Sequence, residues 1–128
     1  MTDKNTLILI VDDEPDICWI ISKILSNAGY RTKTTCSGKE ALSIATDEPV
    51  SVAVLDYRLP DTNGIALSKR LRKINPNISG ILITAYGSKA LEEKALKHGF
   101  SYYFDKPIDN QELVDSIRHI ITPSPMNE

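Results

Sequence analysis

Residues 51–60 read Ser-Val-Ala-Val-Leu-Asp-Tyr-Arg-Leu-Pro. The Val/Ala/Leu run is apolar at consecutive positions, so a strand made from it must be covered on both faces. Such a strand belongs at the centre of a parallel sheet flanked by helices. Its apolar stretch, residues 51–55, stops at an acid, Asp56. The same succession recurs along the chain: Leu7 to Val11 runs into Asp12-Asp13, residues 80–83 into Thr84, and residues 101–104 into Asp105-Lys106.

Between these strands the apolar period becomes helical. After a first strand over residues 6–11, Ile17, Ile20, Ile21, Ile24, Leu25 and Ala28 form one stripe, which Gly29 stops. The second strand, Arg31 to Thr35, is polar enough for a sheet edge, and Ser37 with Glu40 makes a capping-box pattern opening a helix through about residue 46. A third helix over residues 63–74 ends before Asn75-Pro76-Asn77, because the residue before a proline avoids helical dihedrals. A fourth strand, Ser79 to Thr84, and a fourth helix, residues 88–98, follow; Gly99 ends the helix. The last helix opens at Asp109, with Glu112 three residues on, and buries Leu113, Val114, Ile117, Ile120 and Ile121. The alternation is (βα)5, an α/β fold.

A chain of 128 residues has room for one domain, and 41% hydrophobic with 25% charged residues suits a self-folding one. The domain is expected over residues 1–122, with residues 123–128, which contain Pro123-Ser124-Pro125, as a tail or the start of a linker. Fifteen basic against seventeen acidic residues give a net charge of -2, without the electrostatic footprint of a nucleic-acid module. Without a membrane-length apolar run or a signal peptide, a cytoplasmic location with no membrane contact is expected. Cys18 and Cys36 have no metal-binding spacing and read as buried or semi-buried free thiols.

In an open parallel sheet the carboxyl ends of all strands lie along one edge, where ligands bind. That topology brings together Asp12, Asp13, Asp56, Thr84 and Lys106. Three carboxylates at one point repel each other, and a hard divalent cation with oxygen ligands relieves the repulsion. Mg²⁺ suits the set, because it keeps waters and combines one or two carboxylates with phosphate oxygens. Lys106 adds a second positive charge and Thr84 a hydroxyl donor, which together neutralise and orient a transferring phosphoryl group. The set is chemically sufficient to form an aspartyl phosphate.

From Thr6 to about Ile121 the sequence resembles the receiver domain of two-component response regulators, of the chemotaxis-receiver kind. The resemblance implies a doubly wound five-stranded parallel sheet of flavodoxin-like order 2-1-3-4-5. It matches Asp12 and Asp13 to the acidic pair for Mg²⁺, Asp56 to the phospho-acceptor, Thr84 to the switch hydroxyl, Lys106 to the family's lysine and Tyr103 to the aromatic switch position. Asp56-Tyr57-Arg58-Leu59-Pro60 with Gly64 is similar to the family's D-x-x-M-P-x-x-x-G loop, with Leu59 in place of Met, and Arg58 is implied to offer its backbone carbonyl to the metal. Lys106-Pro107 matches a step whose peptide is commonly cis. The implied function is a switch: a histidine kinase or phosphotransfer protein supplies a phosphoryl group to Asp56, and the surface of helix 4, strand 5 and helix 5 changes to control an output. That surface is compatible with a homodimer. The implied role is regulatory, without turnover of an external substrate.

Simpler accounts exist for several residues. Glu14 and Asp16 support the start of the first helix through its dipole, with Glu14 at most adjacent to the metal ligands. Lys69, Arg70, Arg72 and Lys73 make a solvated helix face, and His98 and His119 sit near helix carboxyl ends. Tyr102, Tyr86 and Trp19 read as packing or surface-contact residues. A Mg²⁺-dependent phosphohydrolase would need a D-x-D pattern after the first strand, where this chain has Asp12 followed two positions later by Glu14, and it would need a cap. A mononucleotide binder would need a Ser/Thr/Gly-rich loop where Asp12-Asp13-Glu14 stands. The resemblance implies that Arg58 and Tyr86, two positions after Asp56 and Thr84, flank the path of hydrolytic water, where two bulky groups are expected to crowd it.

Overall fold

Five strands and five helices alternate as β1 (Leu7–Val11), α1 (Pro15–Asn27), β2 (Arg31–Thr35), α2 (Gly38–Asp47), β3 (Val50–Asp56), α3 (Gly64–Ile74), β4 (Ser79–Thr84), α4 (Lys89–Lys97), β5 (Tyr102–Asp105) and α5 (Asn110–Ile121). The computed structural model describes residues 6–122, so the reading of residues 123–128 as a tail lies outside the described residues. All strand pairs are parallel, in the order β2-β1-β3-β4-β5, the doubly wound arrangement expected. No helix among the described residues is long and apolar enough to cross a membrane.

The continuous apolar runs of β1, β3 and β4 are buried because each feeds two cores. Leu7, Leu9, Ala53, Leu55 and Leu82 point to the face covered by α2, α3 and α4, where they meet Ala41, Leu67, Leu71 and Ala95. Ile8, Ile10, Val52, Val54, Ile81 and Ile83 point to the other face and pack on Cys18, Ile21 and Leu25 of α1 and Leu113 and Ile117 of α5. Polar β2 lies at one edge of the sheet, as its composition predicts.

Side-chain caps open four of the helices. Ser37, Asn63, Ser88 and Asp109 accept hydrogen bonds from the backbone N–H groups of Glu40, Ala66, Leu91 and Glu112. The capping box at Ser37 is half formed, since the Glu40 carboxylate takes the Thr35 hydroxyl proton. Gly29 and Gly99 end α1 and α4 with φ of +100° and +91°, a region that other residues rarely adopt.

Four expectations need correction. The buried face of α1 is Cys18, Ile21 and Leu25; Ile20 is 46% exposed and Ala28 lies beyond the last turn, because the helix meets β1 and β3 through the Cys18 side of its stripe. Cys36 is exposed, since it follows the last residue of an edge strand; Cys18 is buried as expected. Arg72 leaves the solvated face of α3 and donates to the His98 carbonyl at 3.0 Å, while Lys69, Arg70 and Lys73 remain exposed. β5 begins one residue later than expected and includes Asp105.

A candidate phosphoryl and metal site at the strand ends

β1 and β3 are neighbours on which the strand order reverses, and their carboxyl ends place Asp12, Asp13 and Asp56 side by side. One carboxylate oxygen from each lies within 4.8 Å of the others. Asp12 and Asp56 are buried while Asp13 is exposed. Asp12 accepts from the Glu14 backbone N–H through Oδ1 at 2.9 Å. Its Oδ2 is buried and receives no aligned hydrogen bond, although the Lys106 ammonium stands 2.8 Å away. That oxygen therefore has charge compensation without a directed donor. A hard cation fits this donor set, because Asp12, Asp13 and Asp56 each offer a carboxylate oxygen to one point and such cations prefer oxygen ligands.

Gly64 lets the third loop close over the site. A Cβ there would lie 2.6 Å from Leu82 Cδ1 and 2.8 Å from the Asp56 carbonyl oxygen, so only glycine allows α3 to start against the end of β3. The loop is closed by Gly64 N–H to the Tyr57 carbonyl at 2.8 Å and Leu59 N–H to the Thr62 carbonyl at 3.1 Å. Arg58 sits in this loop on the rim of the site.

Opposite stand β4 and β5. The Thr84 hydroxyl, buried at the end of β4, accepts from Tyr86 N–H at 3.1 Å, which leaves its own proton available to an acceptor in the cavity. Lys106 follows β5, its backbone N–H bound to the Thr84 carbonyl at 2.8 Å, and its peptide to Pro107 is cis as the resemblance implied. Its ammonium reaches Asp12 at 2.8 Å, Glu14 at 3.2 Å and Asp56 at 3.6 Å. Asp13, Glu14, Asp56, Arg58, Thr84, Ala85, Tyr86 and Lys106 line a cavity of about 240 Å³, and buried Asp12 is paired to its Lys106.

The electrostatics follow from crowding. Burial, and then the charges of Asp12 and Asp13, push the Asp56 carboxyl up to about 6 against the pull of Lys106. Burial also raises Asp12. Burial alone would lower Lys106, but the close approach and charge of Asp12, with help from Asp56 and Glu14, hold it above the ordinary lysine value. The Cys18 thiol, pushed up to about 11 by burial and by the Asp12 charge, donates to the Asp12 carbonyl and is no nucleophile here.

Comparison with known protein families matches residues 8–118 to the response regulator receiver domain. The chain belongs to that family. As a receiver it is 34% identical over 114 residues to Sporulation initiation phosphotransferase F of Bacillus subtilis (strain 168), covering 89% of this chain and 92% of that protein. It is 36% identical over 117 residues to Response regulator SaeR of Staphylococcus aureus (strain USA300), covering 91% of this chain and 51% of that one, so it spans about half of that relative. Among solved structures it resembles a response regulator protein from Burkholderia pseudomallei with a phosphorylated aspartic acid, calcium ion and citrate, at 25% identity, a TM-score of 0.79, and coverage of 92% of this chain and 67% of that one. The receiver is thus a regulatory domain of two-component systems, and receivers of this kind interact with histidine kinases or phosphotransfer proteins.

Asp12, Asp13, Asp56, Arg58, Thr84 and Lys106 meet at this edge, whereas the Tyr103 hydroxyl sits at the start of α4. Its hydroxyl accepts from Ser88 N–H at 3.2 Å and donates to Asp105 at 3.3 Å, and burial followed by the Asp105 charge raises it above the ordinary tyrosine value. Two contacts escaped the sequence reading. Glu14 pairs with Lys106 instead of serving only the α1 dipole, and Asp105 and Ser88 anchor Tyr103. Two of the three partners of Lys106, Asp12 and Glu14, follow β1, but side-chain reach across 92 positions to Glu14 leaves no local pattern to read.

Proposed function

We propose that this receiver accepts a phosphoryl group on Asp56 from a phosphohistidine of a partner kinase or phosphotransfer protein, with Mg²⁺ held by Asp12, Asp13, Asp56 and the Arg58 backbone carbonyl. The observation that carries this reading is the clustering of the Asp12, Asp13 and Asp56 carboxylates, with Lys106 paired to Asp12 and Asp56, at a cavity that Asp13, Asp56, Thr84 and Lys106 line. The bound metal would supply charge neutralisation for the phosphoryl oxygens.

A carboxylate oxygen of Asp56 forms its bond to phosphorus as the bond from phosphorus to the donor's histidine nitrogen breaks, and the electron pair leaves with that nitrogen. Lys106, pulled between Asp12 and Asp56, neutralises a phosphoryl oxygen, and the free Thr84 proton serves another. A relative with a phosphorylated aspartic acid supports the chemistry by analogy. The added charge draws Thr84 inward and, through the β4–α4 loop that Tyr103 touches, shifts the surface of α4, β5 and α5 between two populations. That surface is also the proposed face for a homodimer, and this domain is not expected to bind nucleic acid directly. The domain assigned is residues 1–122, working in the cytoplasm as a switch.

Acetyl phosphate with Mg²⁺ is expected to give a hydroxylamine-labile phosphoryl group, and a chelator is expected to prevent it. Calorimetry is expected to register Mg²⁺ binding that Asp13→Ala weakens at least about tenfold, the lower range for loss of a metal-site partner. Labelling indifferent to the chelator, or undiminished Mg²⁺ affinity in that variant, contradicts the reading.

A further inference from the structure

Asp61 lies in the loop after β3 but spends its carboxylate on a different element. Its Oδ1 accepts from Gly38 N–H at 2.9 Å and its Oδ2 from Lys39 N–H at 3.0 Å, the first two residues of α2. A helix leaves its first N–H groups without intrahelical partners. Ser37 takes that of Glu40, and Asp61 takes two more from 22 and 23 positions away. The approach is close enough that a Cβ on Gly38 would lie 2.7 Å from Thr62 Cγ2 and 3.4 Å from Asp61 Oδ1. These two backbone bonds hold the Asp61 carboxyl below the usual carboxylate range even though the group is exposed.

Within the loop itself, Tyr57 to Gly64 closes as one unit through its two backbone bonds, which together form an antiparallel bridge across Arg58 and Asn63. A closed loop moves as a body, so whatever anchors it from outside sets the position of the Arg58 carbonyl. We propose that Asp61 is a positioning residue for the metal loop, tying it to the amino end of α2 so that Mg²⁺ binding and the ordering of α2's first turn depend on each other. The inference rests on the Mg²⁺ reading above. Coupling of this kind is reciprocal, because a tether that improves the metal site is itself tightened when the metal binds.

Two measurements on the whole chain test it. Mg²⁺ calorimetry is expected to give about tenfold weaker binding for Asp61→Ala, with Asp61→Asn, which keeps one acceptor oxygen, in between. Amide hydrogen exchange is expected to slow at Gly38 and Lys39 when Mg²⁺ is added to the wild type, a response that Asp61→Ala loses. Mg²⁺ affinity within about twofold of wild type in Asp61→Ala, against the tenfold loss expected of a supporting contact, overturns the proposal. So does wild-type exchange at Gly38 and Lys39 that ignores Mg²⁺, which needs no variant to fold. Failure of the wild type to bind Mg²⁺ at all removes the metal reading and this inference with it; binding that is intact in wild type and in Asp61→Ala removes only the inference.

Discussion

Arg58 lays its guanidinium over the ring of Tyr86, 5.0 Å from guanidinium carbon to ring centroid, at the mouth of the acidic cavity. Tyr86 is 72% exposed, so nothing else of comparable size holds the ring there. A cation–π pair at an exposed site contributes about 0.5–1 kcal/mol. If the pair shields the aspartyl phosphate from water, Arg58→Asn with Tyr86→Ala is expected to speed autodephosphorylation about two- to fivefold. Decay of the phosphorylated form after removal of the donor measures it. Unchanged or slower decay contradicts the shielding role.

Asp56 titrates high in the folded chain, about 6 against an ordinary 3.8. Between those values the folded state binds more protons than the unfolded state, so this group's contribution to stability falls as pH rises, and above about 6 the penalty is complete. Asp56→Asn removes the repulsion. In the presence of a chelator it is expected to stabilise the protein by on the order of 1–3 kcal/mol at neutral pH, with the gain fading toward pH ~4. Urea unfolding at the two pH values measures it, and a gain independent of pH contradicts the electrostatic account.

Gly64 is where α3 and β3 nearly touch. Gly64→Ala places a methyl 2.6 Å from Leu82 Cδ1 and 2.8 Å from the Asp56 carbonyl. Overpacking of this kind costs about 1–3 kcal/mol, and because the clash includes backbone next to Asp56, Mg²⁺ affinity is expected to fall with stability. Denaturant unfolding and calorimetry on the same variant separate the two effects. Wild-type values in both contradict the reading of this contact.

Tyr103 is expected to hold the amino end of α4 through Ser88. Tyr103→Phe deletes the hydroxyl that accepts from Ser88 N–H and donates to Asp105, at a cost of about 0.5–1.5 kcal/mol. Faster amide exchange at Ser88 and the first turn of α4 is the expected signature. Exchange at Ser88 identical to wild type breaks the proposed link between Tyr103 and the β4–α4 loop.

Much of this architecture was legible in the sequence because parallel strands buried on both faces leave unbroken apolar runs. Residues 51–55 and Leu7 to Val11 could sit nowhere else, and their polar stops marked the site edge. The face of α1 was less legible. Its isoleucines fall within about a third of the helix circumference, and only the position of β1 and β3 decides that the face is turned so that Cys18 faces in and Ile20 faces out. Within the site, Asp12, Asp56, Thr84 and Lys106 were readable because each ends or directly follows a strand. Glu14, Asp61 and Arg72 were not, because their partners depend on side-chain reach between elements distant in sequence, which no period in the sequence encodes.

The central claim is that Asp56 carries the phosphoryl group. Intact-mass analysis after incubation with acetyl phosphate and Mg²⁺ tests it most directly, on wild type and on Asp56→Asn, a variant the pH argument expects to fold. The account expects one added phosphoryl mass on the wild type and none on Asp56→Asn. The same added mass in both proteins, or in neither, would contradict it.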